Sequence, residues 1–250
     1  MIDVSNTTIA VRILLLFCIF SMASVWLVYL AGNLPKDPEN SFELGFPKSF
    51  KDLNELASML KKYNQSHWWN VFVLFSSAYI YKQAFAIPGS VFLNILAGAL
   101  YGTVAGTIIT SIYAAFGASC CYLLSKQLFG VLITKFFSSK MERMRDIIKK
   151  QSEIGSLFSV LVSLRFFPMS PNWLMNMSAP LLGIQLPIFS LSVGIGLIPY
   201  NFICSQAGNI VSSITSVKDF YSYRVMGSMV LMAAVASIPG ILKNRQSKVN

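Results

Sequence analysis

Two long apolar stretches of this chain are interrupted from within. The first reads Phe85-Ala86-Ile87-Pro88-Gly89-Ser90-Val91-Phe92-Leu93-Asn94. The second reads Leu164-Arg165-Phe166-Phe167-Pro168-Met169-Ser170-Pro171-Asn172-Trp173, followed by Asn176, Ser178, Ala179 and Pro180. Proline lacks a backbone donor and clashes with the preceding turn, so neither stretch forms one straight helix facing lipid. Backbone opened at hydrocarbon depth must be covered by protein or lined by water, because lipid offers no hydrogen-bond partner. Paired interruptions in two halves of a chain point to a site built from discontinuous helices near the middle of a bilayer.

The rest of the chain supplies the bilayer. Of 250 residues, 54% are hydrophobic and 12% charged, whereas a soluble domain carries roughly a quarter charged residues. Residues 13–31 hold no charge and read as a retained signal-anchor span, longer than the ~7–15 residues of a cleaved signal's apolar core. Further spans are expected at about 68–84, 186–208 and 225–242, each near the ~20 residues that a crossing helix needs. The apolar run from Ile87 to Phe129 is too long for one span. A re-entrant piece over roughly 87–101 followed by a full span over roughly 103–126 fits its length. Phe50, Leu53, Leu56, Leu60 and Tyr63 recur at helical spacing and predict an amphipathic helix lying at the interface.

The fold class is therefore all-α: a polytopic helical membrane protein with two opposed re-entrant helical hairpins, arranged like inverted repeats. The expected division is an N-terminal span and amphipathic linker over 1–66, the membrane domain over 67–242, and a basic tail over 243–250.

The net charge of +10 resides mainly between apolar runs, and residues 126–153 carry seven Lys or Arg against three acids. This loop reads as cytosolic, with attraction to anionic lipid head groups as a secondary effect. No basic stripe with interleaved aromatics points to nucleic acid. Cys18, Cys120, Cys121 and Cys204 lack metal-ligand spacing and read as buried free thiols. His67 beside Trp68 and Trp69 reads as an interfacial anchor. No nucleophile, base and acid can be assembled into a catalytic set, so neither an enzyme nor a metal or other cofactor is expected.

Aligning Pro88 with Pro168 brings Phe85 onto Arg165, Ile87 onto Phe167 and Ser90 onto Ser170. The polar residues of the two breaks, Ser90, Asn94, Arg165, Ser170, Asn172 and Asn176, together with Tyr200 and Asn201 of a later span, are candidates to line a wet groove framed by Pro88, Gly89 and Pro168. An arginine in hydrocarbon is costly enough to require a partner or a cavity, and phosphate suits a guanidinium. The alternative is an interfacial Arg165 that snorkels. Gly98, Gly102 and Gly106, at four-residue spacing, predict a small-residue face for close helix packing.

Four blocks carry a family resemblance: Phe85 to Ser90; Gly117-Ala118-Ser119-Cys120-Cys121-Tyr122-Leu123-Leu124-Ser125; Arg165 to Pro168 with Pro171-Asn172-Trp173; and Gly196-Leu197-Ile198-Pro199-Tyr200-Asn201-Phe202. In this order they resemble the transmembrane protein 41 branch of the DedA-like, VTT-domain (SNARE-associated Golgi protein) superfamily, over about residues 68–242 and in detail nearer the A than the B paralogue. The resemblance implies two facing re-entrant hairpins, residence in the endoplasmic reticulum membrane, and phospholipid scrambling, with membrane phospholipids and other membrane proteins as partners. It also implies a link to autophagosome growth and lipid-droplet or lipoprotein handling. Bacterial relatives that resemble proton-coupled transporters carry an acid after the first Pro-Gly and a second arginine in the second break. Here Ser90 and Pro171 stand at those places, and no acid occurs between Glu55 and Glu142. Energy-independent scrambling is the expectation. An ion-coupled transporter and a non-transporting assembly factor are the rivals.

Overall fold

The computed structural model describes residues 6–34, 50–129, 142–143, 145–146, 148, 157–166 and 172–213, and holds helices and no strand among them. Pro168, Ser170, the expected span over 225–242 and the basic tail lie outside the described residues.

Helix α1 (Asn6–Gly32) and helix α2 (Phe50–Ala84) run antiparallel. Phe20 meets Phe85 edge-on at 5.1 Å, the Ser24 and Tyr81 hydroxyls lie 2.8 Å apart, and Trp26 donates to Ser77 Oγ at 3.3 Å. The remaining α1 side chains, such as Leu14, Phe17 and Val28, point outward. The expected interfacial helix and the second span are the two helical parts of α2, which meet at a kink at His67, where the backbone leaves helical geometry (φ −135°, ψ 44°).

After the first break, α3 (Ser90–Tyr101) returns along α2, with Asn94 level with Tyr79 and Tyr101 level with Phe72 and Phe75. The chain reverses at Gly102, and α4 (Thr103–Leu124) rises parallel to α2, then widens into a π turn over Ser125–Phe129. The second half repeats the pattern. Helix α5 (Leu157–Phe166) precedes the second break, and α6 (Asn172–Ser178) continues as a 3₁₀ turn, Ala179–Leu182. The chain reverses at Gly183 into α7 (Leu186–Gly196) and α8 (Ile198–Ser213). The joint at Leu197 follows from Pro199, which cannot donate to the carbonyl four residues back. Together α7 and α8 run antiparallel to α4, tied by Ser119 to Ser190 at 2.6 Å, Tyr122 to the Ile184 carbonyl at 2.7 Å and Thr103 to Gln206 at 2.5 Å.

Among the described residues, three helical stretches are long and apolar enough to cross a membrane: Ile9–Gly32, Thr103–Leu128 and Leu186–Ile210. The apolar core fills the space between α2, α3, α4 and α7, around Tyr79, Leu96, Ala118 and Phe189.

Glycines set the closest approaches. A Cβ on Gly98 would fall on the Ser205 carbonyl, and one on Gly208 on that of Ile95, so α3 and α8 cross backbone to backbone. Gly106 lies against Ala97 across the α3–α4 reversal. Gly102, expected as a packing position, acts otherwise. Its φ is 79° and nothing approaches the place of its Cβ, so it is needed for the turn. The thiols differ from expectation too: Cys121 and Cys204 are buried, whereas Cys18 is exposed on the outer helix α1.

Candidate functional site

The first break is a helix stop followed by a helix start. Ile87 N–H donates to the Lys82 carbonyl at 2.9 Å and Ala86 N–H to that of Gln83 at 3.3 Å. This is the Schellman pattern, with Ala86 (φ 54°) in the left-handed place usually held by glycine. Pro88 prevents the helix from continuing, and Gly89 (φ 101°) redirects the chain into α3. The same pattern recurs at Gly183 (φ 76°), where Ile184 N–H donates to the Ala179 carbonyl at 3.1 Å and Gly183 N–H to that of Pro180 at 3.3 Å.

A cation spans each break. Lys82 Nζ donates to Ser90 Oγ at 2.6 Å, reaching from the last turn of α2 to the first residue of α3. Arg165 Nη1 donates to Asn172 Oδ1, from the end of α5 to the first residue of α6. Arg165 also directs both terminal nitrogens to Asn176 Oδ1 at 3.4 Å and lies 5.1 Å over the Phe189 ring. It is 6% exposed and Lys82 is 7% exposed. Arg165 is thus a buried, partnered guanidinium and does not snorkel to an interface.

Between the breaks lies a cavity of about 120 Å³ whose polar wall is Lys82, Gln83, Ser90, Asn172 and Asn176, closed by Pro88 and Trp173. Its depth can be read from the helices that flank it. Gln83 packs against Gly117, where an added Cβ would be 2.6 Å from the glutamine Cβ, and Gly117 is about midway along the Thr103–Leu128 span. At 1.5 Å per residue this is ~20 Å from either end. Arg165 packs in the same way against Gly196, near the middle of Leu186–Ile210. Two rulers from different helices give mid-span for both cations.

Residues 87–210 match the VTT domain family. A transmembrane protein 41 homolog of Drosophila melanogaster is 32% identical over 228 residues, 91% of this chain and 71% of the relative. Transmembrane protein 41B of Danio rerio is 29% identical over 228 residues, 91% of this chain and 80% of its own length. Transmembrane protein 41B of Homo sapiens is 27% identical over 234 residues, 93% and 80% of the two chains. The chain belongs to the transmembrane protein 41 family. It is a multi-pass membrane protein with a VTT domain. These relatives bear the unlettered name or the letter B, so the leaning to the A paralogue stands on the sequence blocks alone. No solved structure matches the chain.

The VTT match begins at Ile87, so it takes in α3, Arg165 and α6 but leaves out Lys82 and Gln83. Of the residues singled out from the sequence of this family member, Pro88, Ser90, Asn172 and Asn176 face the cavity, and Gly89 shapes its edge. Arg165 stands behind the two asparagines. Asn94 and Asn201 do not face the cavity: they are 0% and 1% exposed and bond to each other. Tyr200 is exposed on the outer face of α8. Lys82, Gln83, Ala86, Ile87 and Trp173 are the cavity residues that sequence reasoning did not place there. The signal for Lys82 was available, a cation eight residues before Ser90 as Arg165 is seven before Asn172.

Proposed function

We propose that this protein is an energy-independent phospholipid scramblase of the endoplasmic reticulum membrane, with the two broken segments acting as opposed re-entrant hairpins. The observation that carries this reading is the mid-span cavity walled by polar side chains from both breaks. A head group passing between leaflets loses its hydration in the hydrocarbon, and polar groups fixed at half depth replace part of it while the acyl chains stay in lipid. A ten-thousandfold faster exchange requires the barrier to fall by about 5.5 kcal/mol. A few hydrogen bonds to charged groups, at ~1.5–3 kcal/mol each, reach that figure. In this reading 67–242 is the transporting unit, while 1–66 supplies an anchor and 243–250 a basic tail.

Gradient coupling has less support. No acid stands between Glu55 and Glu142, and no cluster of three His, Cys, Asp or Glu capable of holding a metal ion occurs among the described residues. The test uses the full chain in proteoliposomes with fluorescent lipid in both leaflets and a membrane-impermeant quencher. Exchange of both leaflets without ATP or gradient is the expected outcome. Exchange only under an imposed proton or sodium gradient would assign the protein to the ion-coupled transporters.

A further inference from the structure

The polar groups of the cavity share a feature that a merely wet groove does not need: their donor ends are the ends left over. Lysine and arginine side chains donate hydrogen bonds and never accept them. Ser90 Oγ is therefore the acceptor from Lys82, and its own O–H is left to donate elsewhere. The two asparagines must turn their oxygens to Arg165, which directs their N–H₂ groups away from the guanidinium. One bond to Ser90 uses one of the three Lys82 ammonium hydrogens. Lys82, Ser90, Asn172 and Asn176 all line the same cavity. Its polar wall thus combines a cation with oriented donors and the Gln83 amide, and no carboxylate lines it among the described residues.

From this arrangement we infer that the cavity is a receptor for the phosphate of a lipid head group, that Lys82 is the residue that contacts it, and that head groups with net negative charge are preferred over zwitterionic ones. This rests on the scramblase reading and adds its substrate class. Size agrees, since about 120 Å³ is well above the ~10–15 Å³ that a cavity needs on the same measure to hold one water. That suits a phosphodiester while leaving the acyl chains outside. Charge agrees too: a zwitterionic head group offers Lys82 a phosphate balanced by its own cation, whereas phosphatidylserine adds a carboxylate to its phosphate and ammonium and so carries net negative charge. Arg165 is here a positioning residue, held off the ligand by the asparagines it orients. The same donor set would take free inorganic phosphate, so the test must separate the two sources.

The experiment has a binding arm and an exchange arm, each on the full chain. Purified protein in neutral detergent is titrated with phosphatidylserine, phosphatidylcholine or inorganic phosphate, and bound lipid is counted by native mass spectrometry with thermal stabilisation as the second readout. Phosphatidylserine should bind more tightly than phosphatidylcholine by about tenfold. Lys82→Met and Lys82→Gln should abolish the difference, and Lys82→Arg should retain it. In proteoliposomes the ratio of the two exchange rates should change in step. Equal binding of both lipids by the wild type, or a preference unchanged in Lys82→Met and Lys82→Gln, overturns the inference while leaving scrambling intact. Millimolar inorganic phosphate that stabilises the protein as well as the lipid does would overturn the lipid assignment. Should no exchange occur at all, the scramblase reading falls on the second arm, whereas the first still decides whether Lys82 selects anionic lipid.

Discussion

Asn94 Nδ2 donates to Asn201 Oδ1 at 3.0 Å across 107 residues of sequence. This bond is the middle of a chain in which Tyr79 O–H donates to Asn94 Oδ1 at 2.8 Å and Asn201 Nδ2 to Ser111 Oγ at 3.0 Å. Four helices, α2, α3, α8 and α4, are joined by donors that all point the same way, an order in which each bond polarises the next. Buried polar groups of this kind specify a single packing of half-helices that apolar contacts alone would leave free to slide.

The first prediction follows from that chain. Asn94→Leu removes the acceptor of Tyr79 and the donor to Asn201, and each orphaned buried group costs about 1–3 kcal/mol. Asn201→Leu orphans Asn94 and Ser111 in the same manner. The double variant should cost clearly less than the two singles together, with a coupling of ~0.5–3 kcal/mol in a double-mutant cycle. Denaturation of the purified protein in detergent measures all four corners, and strict additivity would contradict a direct link.

The second prediction separates two turn glycines that look alike in sequence. Gly183 lies at φ 76°, ψ 13°, in the left-handed helical region where asparagine is tolerated. Gly102 lies at φ 79°, ψ 174°, a region open almost only to glycine. Gly183→Asn should therefore be nearly neutral, while Gly102→Asn should destabilise by ~1–3 kcal/mol. Thermal melts of the two variants side by side check it.

This contrast shows what the sequence could reveal and where it stopped. Pro88 and Gly89 are legible because their backbone chemistry is local, and the boundaries of α3 and α4 followed from length alone. The role of Gly102 was not legible, since a glycine every fourth residue gives the same pattern whether the helix continues or reverses. Asn172 and Asn176 are legible as polar residues of the second break, but that they accept from Arg165 depends on α6 folding back over the break. Asn94 and Asn201 were placed in a groove because composition reports polarity and not direction. Only the packing of α3 on α8 turns them inward. Beyond its spacing from Ser90, Lys82 as a wall of the cavity is not legible in the sequence, for the side of α2 that it occupies depends on where α3 returns.

The third prediction tests the antiparallel register of α4 and α7. Ser119 Oγ and Ser190 Oγ are 2.6 Å apart, close to the ~2.05 Å of a disulfide. With the four native cysteines replaced, Ser119→Cys with Ser190→Cys should cross-link under mild oxidation, seen as a mobility shift that reductant reverses. Ser119→Cys paired with Ser192→Cys should not, because Ser192 turns instead to the Phe189 carbonyl. Equal yields from both pairs would contradict the register.

The last prediction exploits the direction of the asparagine amides. Asn176→Asp keeps the size of the side chain and the Oδ1 that Arg165 addresses, and replaces the amide nitrogen with a second oxygen so that a neutral partner becomes a carboxylate. Hydrogen bonds gain strength when donor and acceptor are both ionised, so the folded protein should be at least as stable as the wild type. The residue still lines the cavity, however, and its donor end has become an acceptor with negative charge. A phosphate entering beside it then loses one hydrogen bond and meets a repulsion. A loss of ~1.4 kcal/mol at the barrier corresponds to about tenfold slower exchange. Asn176→Asp should therefore melt no earlier than the wild type while its exchange of phosphatidylserine in proteoliposomes slows by about that factor, a separation of stability from transport that a purely structural role for Asn176 does not produce. Unchanged exchange in a stable Asn176→Asp protein would remove the asparagine from the lipid path.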